Sequence, residues 1–452
     1  MTTTDETKQL APWTDTVPMG WKVTRLDVAA DVLFSNVDKH TLDGETPVRL
    51  CNYVDVYKND RITSSIDFME ASAEEREIRK FQIRRGDILA TKDSEEADDI
   101  AIPSLVAEDL PGVLCGYHLA MIRPRLSSVS DPFLAWLHAS KSFRAQYEAK
   151  AVGVTRFGLS QYAFRAARIP LPPLPEQQRI AAYLDASCAA IDAAVAAKRR
   201  QLETLDALRK TTIHRAVTQG LNPDVKMKST GVDWFSEAPD HWTPSRIKNV
   251  AKLSPSYSGG IPANDEICTI VPMELLSKAG TLDTTSLLVF EEVSGGLTLF
   301  EVGDVLFAKI TPCMENGKGA FVESLPSRYA FGSTEYHVLR PANTINGKFL
   351  YYYTYNPIFR AYAAENMSGA AGQKRVSSRF LKETRLFLPP LPEQLEIISF
   401  LTDKDTEFRA LFTQIESQVA TLTAYRKSLI HECVTGQRRI SEADLNQVKA
   451  YG

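Results

Sequence analysis

The sequence contains one heptapeptide twice without a change, as Leu171-Pro172-Pro173-Leu174-Pro175-Glu176-Gln177 and as Leu388-Pro389-Pro390-Leu391-Pro392-Glu393-Gln394. Proline can open a helix but not continue one, so each copy reads as a stiff entry into a helix near Glu176 or Glu393. About forty residues of helical pattern follow each copy. The copies lie 217 residues apart. That spacing is too long for a solenoid period and suits a duplicated domain plus helix.

The register extends well beyond the heptapeptide. Gly86-Asp87 is answered by Gly303-Asp304, and Arg123-Pro124 by Arg340-Pro341, again 217 residues on. Phe133-Leu134 and Phe143-Arg144 return as Phe349-Leu350 and Phe359-Arg360 after 216, and Trp21 returns as Trp242 after 221. A glycine-bearing loop, Val152 to Gly158, is answered by Gly369 to Val376. Framework points keep register while the sequence between them diverges, the pattern of one scaffold carrying two surfaces. Within the first half, alternating apolar runs from Val48 to Phe81 predict strands and turns. Arg85 to Ala90 reads as a turn into a buried strand. Phe133, Leu134, Leu137, Phe143 and Tyr147 predict a helical region over Pro132–Lys150. Asp93 to Asp109 has seven acidic residues and no basic one, which predicts a solvated loop.

The two long helical stretches carry heptad rows. Leu184, Cys188, Ile191, Val195, Lys198, Leu202 and Leu205 alternate at spacings of four and three, as do Leu401, Asp405, Phe408, Phe412, Ile415, Val419 and Leu422. Each row holds one charged residue, Lys198 or Asp405, and these do not align with each other. A charged position in a seam can fix register or orientation. Both helices stop at a glycine, Gly220 or Gly436. A helix of about forty-four residues is roughly 65 Å long and cannot bury its stripe alone. The expectation is an α+β chain: two pseudo-repeated α/β domains joined by two long antiparallel coiled-coil helices. The boundaries read as a disordered leader (1–17), first domain (18–170), first helix (171–220), second domain (221–387), second helix (388–438) and C-terminal tail (439–452).

Composition narrows the setting. With 452 residues there is room for two to four domains. Net charge is −4, so any nucleic-acid signal must be local. Met1 to Asp15 has no apolar core of a secretory signal, and no run suggests a membrane span. The six cysteines are scattered without a CxxC pair, which fits a reduced cytoplasm and argues against zinc or disulfides.

With both heptapeptides, the matched helix ends Leu208-Arg209-Lys210-Thr211 and Tyr425-Arg426-Lys427-Ser428, and the stretch Pro47 to Asn59, the chain resembles the specificity subunits of type I restriction–modification systems. The resemblance covers nearly the whole chain. It implies two target recognition domains, each reading half of a split double-stranded DNA site, and conserved spacer helices that set the gap. It implies a non-catalytic chain with two methyltransferase subunits and restriction subunits as partners. S-adenosylmethionine, ATP and Mg are then expected on those partners, with no cofactor or metal on this chain.

The residues add a local charge argument. Lys141 to Arg168 holds six Lys and Arg against one Glu, and Ile358 to Arg385 holds six against two. An acidic chain thus concentrates positive charge at matching places beside a glycine-bearing loop. Phosphate contacts need such charge, and glycine favours close approach to DNA. Candidate DNA-binding residues are Lys150, Arg156, Ser160 and Gln161 in the first half and Gln373, Lys374, Arg375, Ser377 and Arg379 in the second. Ser160 and Ser377 are also placed to cap the following helices. Lys92, Lys309 and Arg84-Arg85, which flank the Gly-Asp turns, are second-tier DNA-binding candidates. Self-contained chemistry has little support. Asn356-Pro357-Ile358-Phe359 is a near miss to an adenine methyltransferase motif and lacks a glycine-rich cofactor loop before it. Gly317-Lys318-Gly319 is not a P-loop. The alternatives are a DNA methyltransferase or nuclease with unrecognised motifs, and a purely structural coiled-coil protein.

Overall fold

A computed structural model describes residues 17–255, 262–278, 280–293, 295–370 and 372–451. The expected leader lies outside them except for Val17. The chain divides into two compact units. The first takes in the described residues up to Arg199 and from Ser417 onward, and the second is Arg200–Glu416. The long helices are Leu174–Gln219 and Leu391–Thr435, so each begins in one unit and ends in the other.

The first unit is built on a five-stranded sheet, in the order Ala30–Phe34, Leu119–Pro124, Ile88–Thr91, Pro103–Val106, Arg61–Ile62. Its central strand, Ile88 to Thr91, is buried along its whole length, which is why its sequence is a continuous apolar run. Helix Asp131–Ala139 supplies Phe133, Leu134 and Leu137 to one core. A three-stranded sheet, Met69–Ala73, Thr46–Cys51, Val113–Cys115, encloses a second. Two sequence expectations change here. Tyr53–Lys58 is a helix rather than strand, because Asp55 accepts a hydrogen bond from the Asn52 amide at 2.7 Å and starts a helical turn. The acidic stretch from Asp93 is not simply a solvated loop. Its apolar segment enters the sheet as Pro103–Val106, with Ile100 and Ala101 fully buried.

The second unit has a four-stranded sheet, Ala251–Leu253, Tyr336–Pro341, Val305–Ala308, Gly319–Phe321, and another four strands in the order Leu287–Val289, Ile267–Val271, Tyr329–Gly332, Thr298–Phe300. A hairpin of Met227–Val232 and Phe235–Pro239 precedes them. In each unit the strand after the entry tryptophan pairs antiparallel with the strand before the long helix. Lys22–Arg25 lies on Arg168–Leu171, and Thr243–Arg246 on Arg385–Leu388.

The heptapeptide is the polar lock of each unit. Gln177 is fully buried; its Oε1 accepts from the Ser130 amide at 2.8 Å, and its Nε2 donates to the Ser128 and Pro172 carbonyls at 3.2 and 2.8 Å. Gln394 repeats this with the Asn346 amide at 2.7 Å and the Thr344 and Pro389 carbonyls at 3.2 and 2.9 Å. Trp21 Nε1 donates to Glu176 at 3.1 Å, and Trp242 Nε1 to Glu393 at 3.0 Å. The Gly-Asp turns are equally alike. Gly86 and Gly303 both have φ +90°, a conformation glycine adopts without strain. Asp87 is gripped by Arg123 at 2.7 Å and Asp304 by Arg340 at 2.8 Å.

Within each unit the helical stretches run antiparallel. In the first, Arg439 reaches Glu176 at 2.9 Å while Arg426 reaches Asp192 at 3.0 Å. In the second, Arg209 meets Asp405 at 2.7 Å and Gly220 lies beside Glu393. Leu184, Cys188, Ile191, Leu401 and Phe408 are buried, and Val195, Lys198, Leu202, Leu205, Asp405, Phe412, Ile415, Val419 and Leu422 are half-buried. The equivalent histidines pack into their own units: His431 Nδ1 lies 2.6 Å from Ser142 Oγ, and Asn356 Nδ2 donates to His214 Nδ1 at 3.1 Å.

Two further expectations are refined. The expected C-terminal tail contains a helix, Glu442–Tyr451, and Ile440 and Leu445 join the first core. The first long helix does contain a window long and apolar enough to cross a membrane by length and composition, with mean hydropathy 1.5. Asp185 and Asp192 on this helix pair with Arg61 and Arg426.

Candidate nucleic-acid interface

The two basic clusters are smaller on the surface than in the sequence. Arg144 and Arg360, one in each, face inward. Arg144 Nη1 donates to the His138 and Ala139 carbonyls at 3.1 and 2.9 Å, at the end of helix Asp131–Ala139. Arg360 is 3% exposed and lies 4.2 Å over the Phe307 ring. It donates to the carbonyls of Thr354, Met314 and Lys318 at 2.7, 2.9 and 3.1 Å. Desolvation pushes its pKa down to about 10. Both arginines satisfy backbone carbonyls and belong to the fold.

The glycine loops are short closed turns. Val152 pairs with Gly158, and Phe157–Gly158 lies on Asp93–Ser94. In the second unit Ser368 and Ile310 both pair with Arg375. The amides of Leu159 and Val376 donate to the carbonyls of Lys92 and Lys309, each at 2.8 Å, so the two loops hang from matching points. Gly153 has φ +157°, and a Cβ there would lie 1.9 Å from the Arg156 carbonyl oxygen. Gly369 has φ +139°, and its Cβ would lie 2.6 Å from the Gln373 carbonyl oxygen. Gly153 and Gly369 are thus required by the loops' own backbone.

The candidate side chains separate into groups. Arg156 is 57% exposed; its Nη2 and Nε lie 2.5 and 3.2 Å from Asp93 Oδ1. His118 Nδ1 lies 2.8 Å from the other oxygen of the same carboxylate. Arg375, 42% exposed, grips Glu335 with Nη2 at 2.7 Å and Nε at 3.0 Å. That contact holds the Glu335 carboxyl below its ordinary range. Gln373, Lys374 and Arg379 are exposed, and no ion pair of Lys374 or Arg379 occurs among the described residues. Lys150 is half-buried, and its pKa is lowered by desolvation and then by Arg25 and Arg168. Arg84 and Arg85 are exposed on the Gly86 turn.

Other candidates are turned to internal work. Lys92 Nζ sits 4.3 Å over Tyr117 and 5.0 Å over Phe34, and burial lowers its pKa. Lys309 is half-buried. Gln161 Nε2 donates to the Val32 carbonyl at 2.7 Å. Ser160 Oγ accepts from the Ala163 amide at 3.2 Å and Ser377 Oγ from the Phe380 amide at 3.1 Å, so both cap helices. The structure therefore brings together Arg156 with the Lys92 strand, and Gln373, Lys374 and Arg375 with the Lys309 strand. Asp93, His118 and Glu335 were not singled out from sequence. His118 and Glu335 stand at the common 217-residue spacing, which was the available signal; Asp93 was concealed in the acidic run.

Asn356 is fully buried, and its Oδ1 accepts from the Ile358 amide at 3.1 Å, so it opens a helix. Lys318 Nζ donates to the Met273 carbonyl at 2.7 Å, and Gly319 begins a strand. Among the described residues no cluster of three or more His, Cys, Asp or Glu could hold a metal ion.

Comparison with known proteins bears on the family and the fold. The family model described as type I restriction modification DNA specificity domain matches residues 55–204 and 239–421. The specificity subunit of the type I restriction enzyme EcoAI of Escherichia coli is 33% identical over 196 residues, 43% of this chain and 32% of the relative. That of EcoEI, also from Escherichia coli, is 29% identical over 197 residues, again 43% and 32%. This chain thus spans about a third of the length of those two relatives. The putative MjaX specificity subunit of Methanocaldococcus jannaschii is 22% identical over 386 residues, covering 80% of this chain and 81% of the relative. Among solved structures, a chain from work on complex assembly and conformational transition of the type I R-M system has TM-score 0.68 at 18% identity, with 92% of this chain and 98% of that chain covered. The HsdS subunit from Thermoanaerobacter tengcongensis has TM-score 0.52 at 19% identity, covering 93% and 98%. At these identities the structures show a common fold. Two matched regions, one in each half, place the chain in the family of type I restriction modification DNA specificity domains.

Proposed function

We propose that this chain is the DNA-reading subunit of a type I restriction–modification system. It recognises a bipartite, asymmetric double-stranded site, one half with each unit, and the long helices set the gap between the halves. It carries no catalytic group of its own. Adenine methyltransferase subunits, with S-adenosylmethionine, and restriction subunits, with ATP and Mg, act with it in the cytoplasm. One observation carries the reading: loops hung from equivalent points of a duplicated frame present different cations, Arg156 in one unit and Lys374 and Arg375 in the other, with exposed Arg379 on the helix that follows. A duplicated frame with divergent contact residues reads two different half-sites.

The test is to insert four residues near Gln201 and map methylated adenines across the host genome. Both half-sites should persist with a changed gap. An unchanged gap would refute the spacing role. Methyl transfer by the purified chain without any other subunit would refute the non-catalytic reading.

A further inference from the structure

Arg156 and Arg375 share an arrangement that their unpaired neighbours lack. Each sits in its unit's glycine loop, and each is held through Nε and Nη2 by a carboxylate from outside that loop. In the first unit the holder is Asp93, on the strand under the loop, and His118 leans on the same carboxylate. In the second it is Glu335, at the position equivalent to His118. The two clamps were therefore assembled from different positions and reach the same result.

The clamp has two physical effects. It cancels most of the guanidinium's net charge, so the arginine releases few counterions on meeting a phosphate. It also fixes the guanidinium plane, helped by the Gln373 carbonyl, which accepts from Arg375 Nη1 at 3.3 Å, and by His118 Nδ1, 3.4 Å from Arg156 Nη2, while the remaining Nη1 and Nη2 hydrogens are left to meet a ligand. A fixed, outward fork of two donors matches the O6 and N7 acceptors on the major-groove edge of guanine. Lys374 and Arg379, exposed and without a carboxylate partner among the described residues, have the opposite character and suit phosphates.

We propose that Arg156 and Arg375 each read one guanine, one in each half of the DNA site, and that Asp93 and Glu335 are their positioning residues. This rests on the reading of the chain as a DNA specificity subunit. The exposed Val154 beside Arg156, 95% accessible, has no apolar counterpart in the Gln373-Lys374 segment, so the bases flanking the two guanines differ.

The experiment is selection from a pool of randomised duplex oligonucleotides by the full chain in the complex it forms, with the salt dependence of binding measured alongside. Arg156→Lys should cut the preference for guanine at one position of one half-site by roughly 5- to 150-fold and leave the other half-site as it was. Arg375→Lys should do the same in the other half. Asp93→Asn should relax the same position as Arg156→Lys and, by uncovering the guanidinium's charge, steepen the salt slope. Because Arg156→Lys keeps the charge on an exposed loop, an unfolded variant would not be mistaken for lost reading; thermal unfolding checks this. If the parent chain enriches a bipartite site and neither lysine variant alters any guanine, the assignment falls while the DNA-reading function stands. If Arg156→Ala instead lowers the salt slope by about one, Arg156 is a phosphate contact and the assignment falls. If the parent complex enriches no sequence, the function proposed above falls with it.

Discussion

The ends of the two long helices make the most informative comparison in the molecule. Arg209 and Arg426 stand at equivalent positions and both lie over an aromatic ring, Tyr355 at 5.2 Å and Trp136 at 5.6 Å. Arg209 finds its carboxylate in the facing helix, at Asp405. Arg426 cannot use the same position, because the residue equivalent to Asp405 is Cys188; it turns to Asp192, one turn further along the facing helix, at 3.0 Å and to Asp60 at 2.9 Å. At the Gly-Asp turns the opposite holds. Both members of the pair were kept, Asp87 with Arg123 and Asp304 with Arg340, and the geometry is the same to 0.1 Å. Duplication preserves an interaction only where both partners survive. Where one is replaced, the other keeps its place and changes its company.

The sharpest way to break the comparison is at Arg144 and Arg360. Arg360 serves three carbonyls and is almost wholly buried, whereas Arg144 serves two and is half-buried. Arg360→Met should destabilise the second unit by about 4 kcal/mol, and Arg144→Met the first by about 2 kcal/mol, from the cost of stranded buried carbonyls. Urea denaturation followed by tryptophan fluorescence measures both; equal losses would contradict the assignment.

The next contrast is acid sensitivity. His138 is fully buried, its Nδ1 donating to the Leu134 carbonyl and its Nε2 paired with the Tyr147 hydroxyl, and desolvation pushes its pKa down to about 4 from 6.5. The unfolded chain therefore binds a proton across that window that the folded unit refuses. Stability should fall as pH drops from 6.5 toward 4, by about 3 kcal/mol in all, and level off below. Thr354 occupies the matching position in the second unit. Acid loss there comes instead from His337 and His214, whose pKa values burial also lowers. His138→Gln should flatten the first unit's dependence between pH 7 and 5 and leave the second unit's untouched.

A third test asks where the units should not differ. Gln177→Ala and Gln394→Ala each strand one buried amide and two carbonyls in closely matched geometry, and should cost about 3 kcal/mol apiece. Unequal values would show that the lock depends on context beyond its hydrogen bonds. The smallest effect concerns binding alone. Lys374→Ala should lower the slope of log affinity against log salt by about one, uniformly across DNA sequences.

Much of the frame was legible in the sequence because identical residues at constant spacing must do identical work. The heptapeptide, the Gly-Asp turns and the Arg-Pro strand ends all return as matched contacts. The heptad rows fall on the buried and half-buried faces of their helices, since burial follows a 3.5-residue period directly. Less was legible at the loops. Arg360 and Arg379 look alike as letters, and only the carbonyls around Arg360 separate a buried cap from a surface cation. Asp93 was read as one of many acids because sequence cannot show that its strand lies under Arg156. The glycines were recognised but their backbone role was not, since a clash with a carbonyl three or four residues away is a property of the closed loop.

The division of the helices between units has a consequence for synthesis. Leu429, Ile430, Cys433 and Val434 pack in the same core as Trp21, Leu26, Ile180 and Leu184. A ribosome delivering this chain would complete every residue of the second unit before it delivered the last pieces of the first. The half that is made first is finished last, and until then its exposed apolar seam must wait in the cell, a window in which a chaperone or an early partner would meet it.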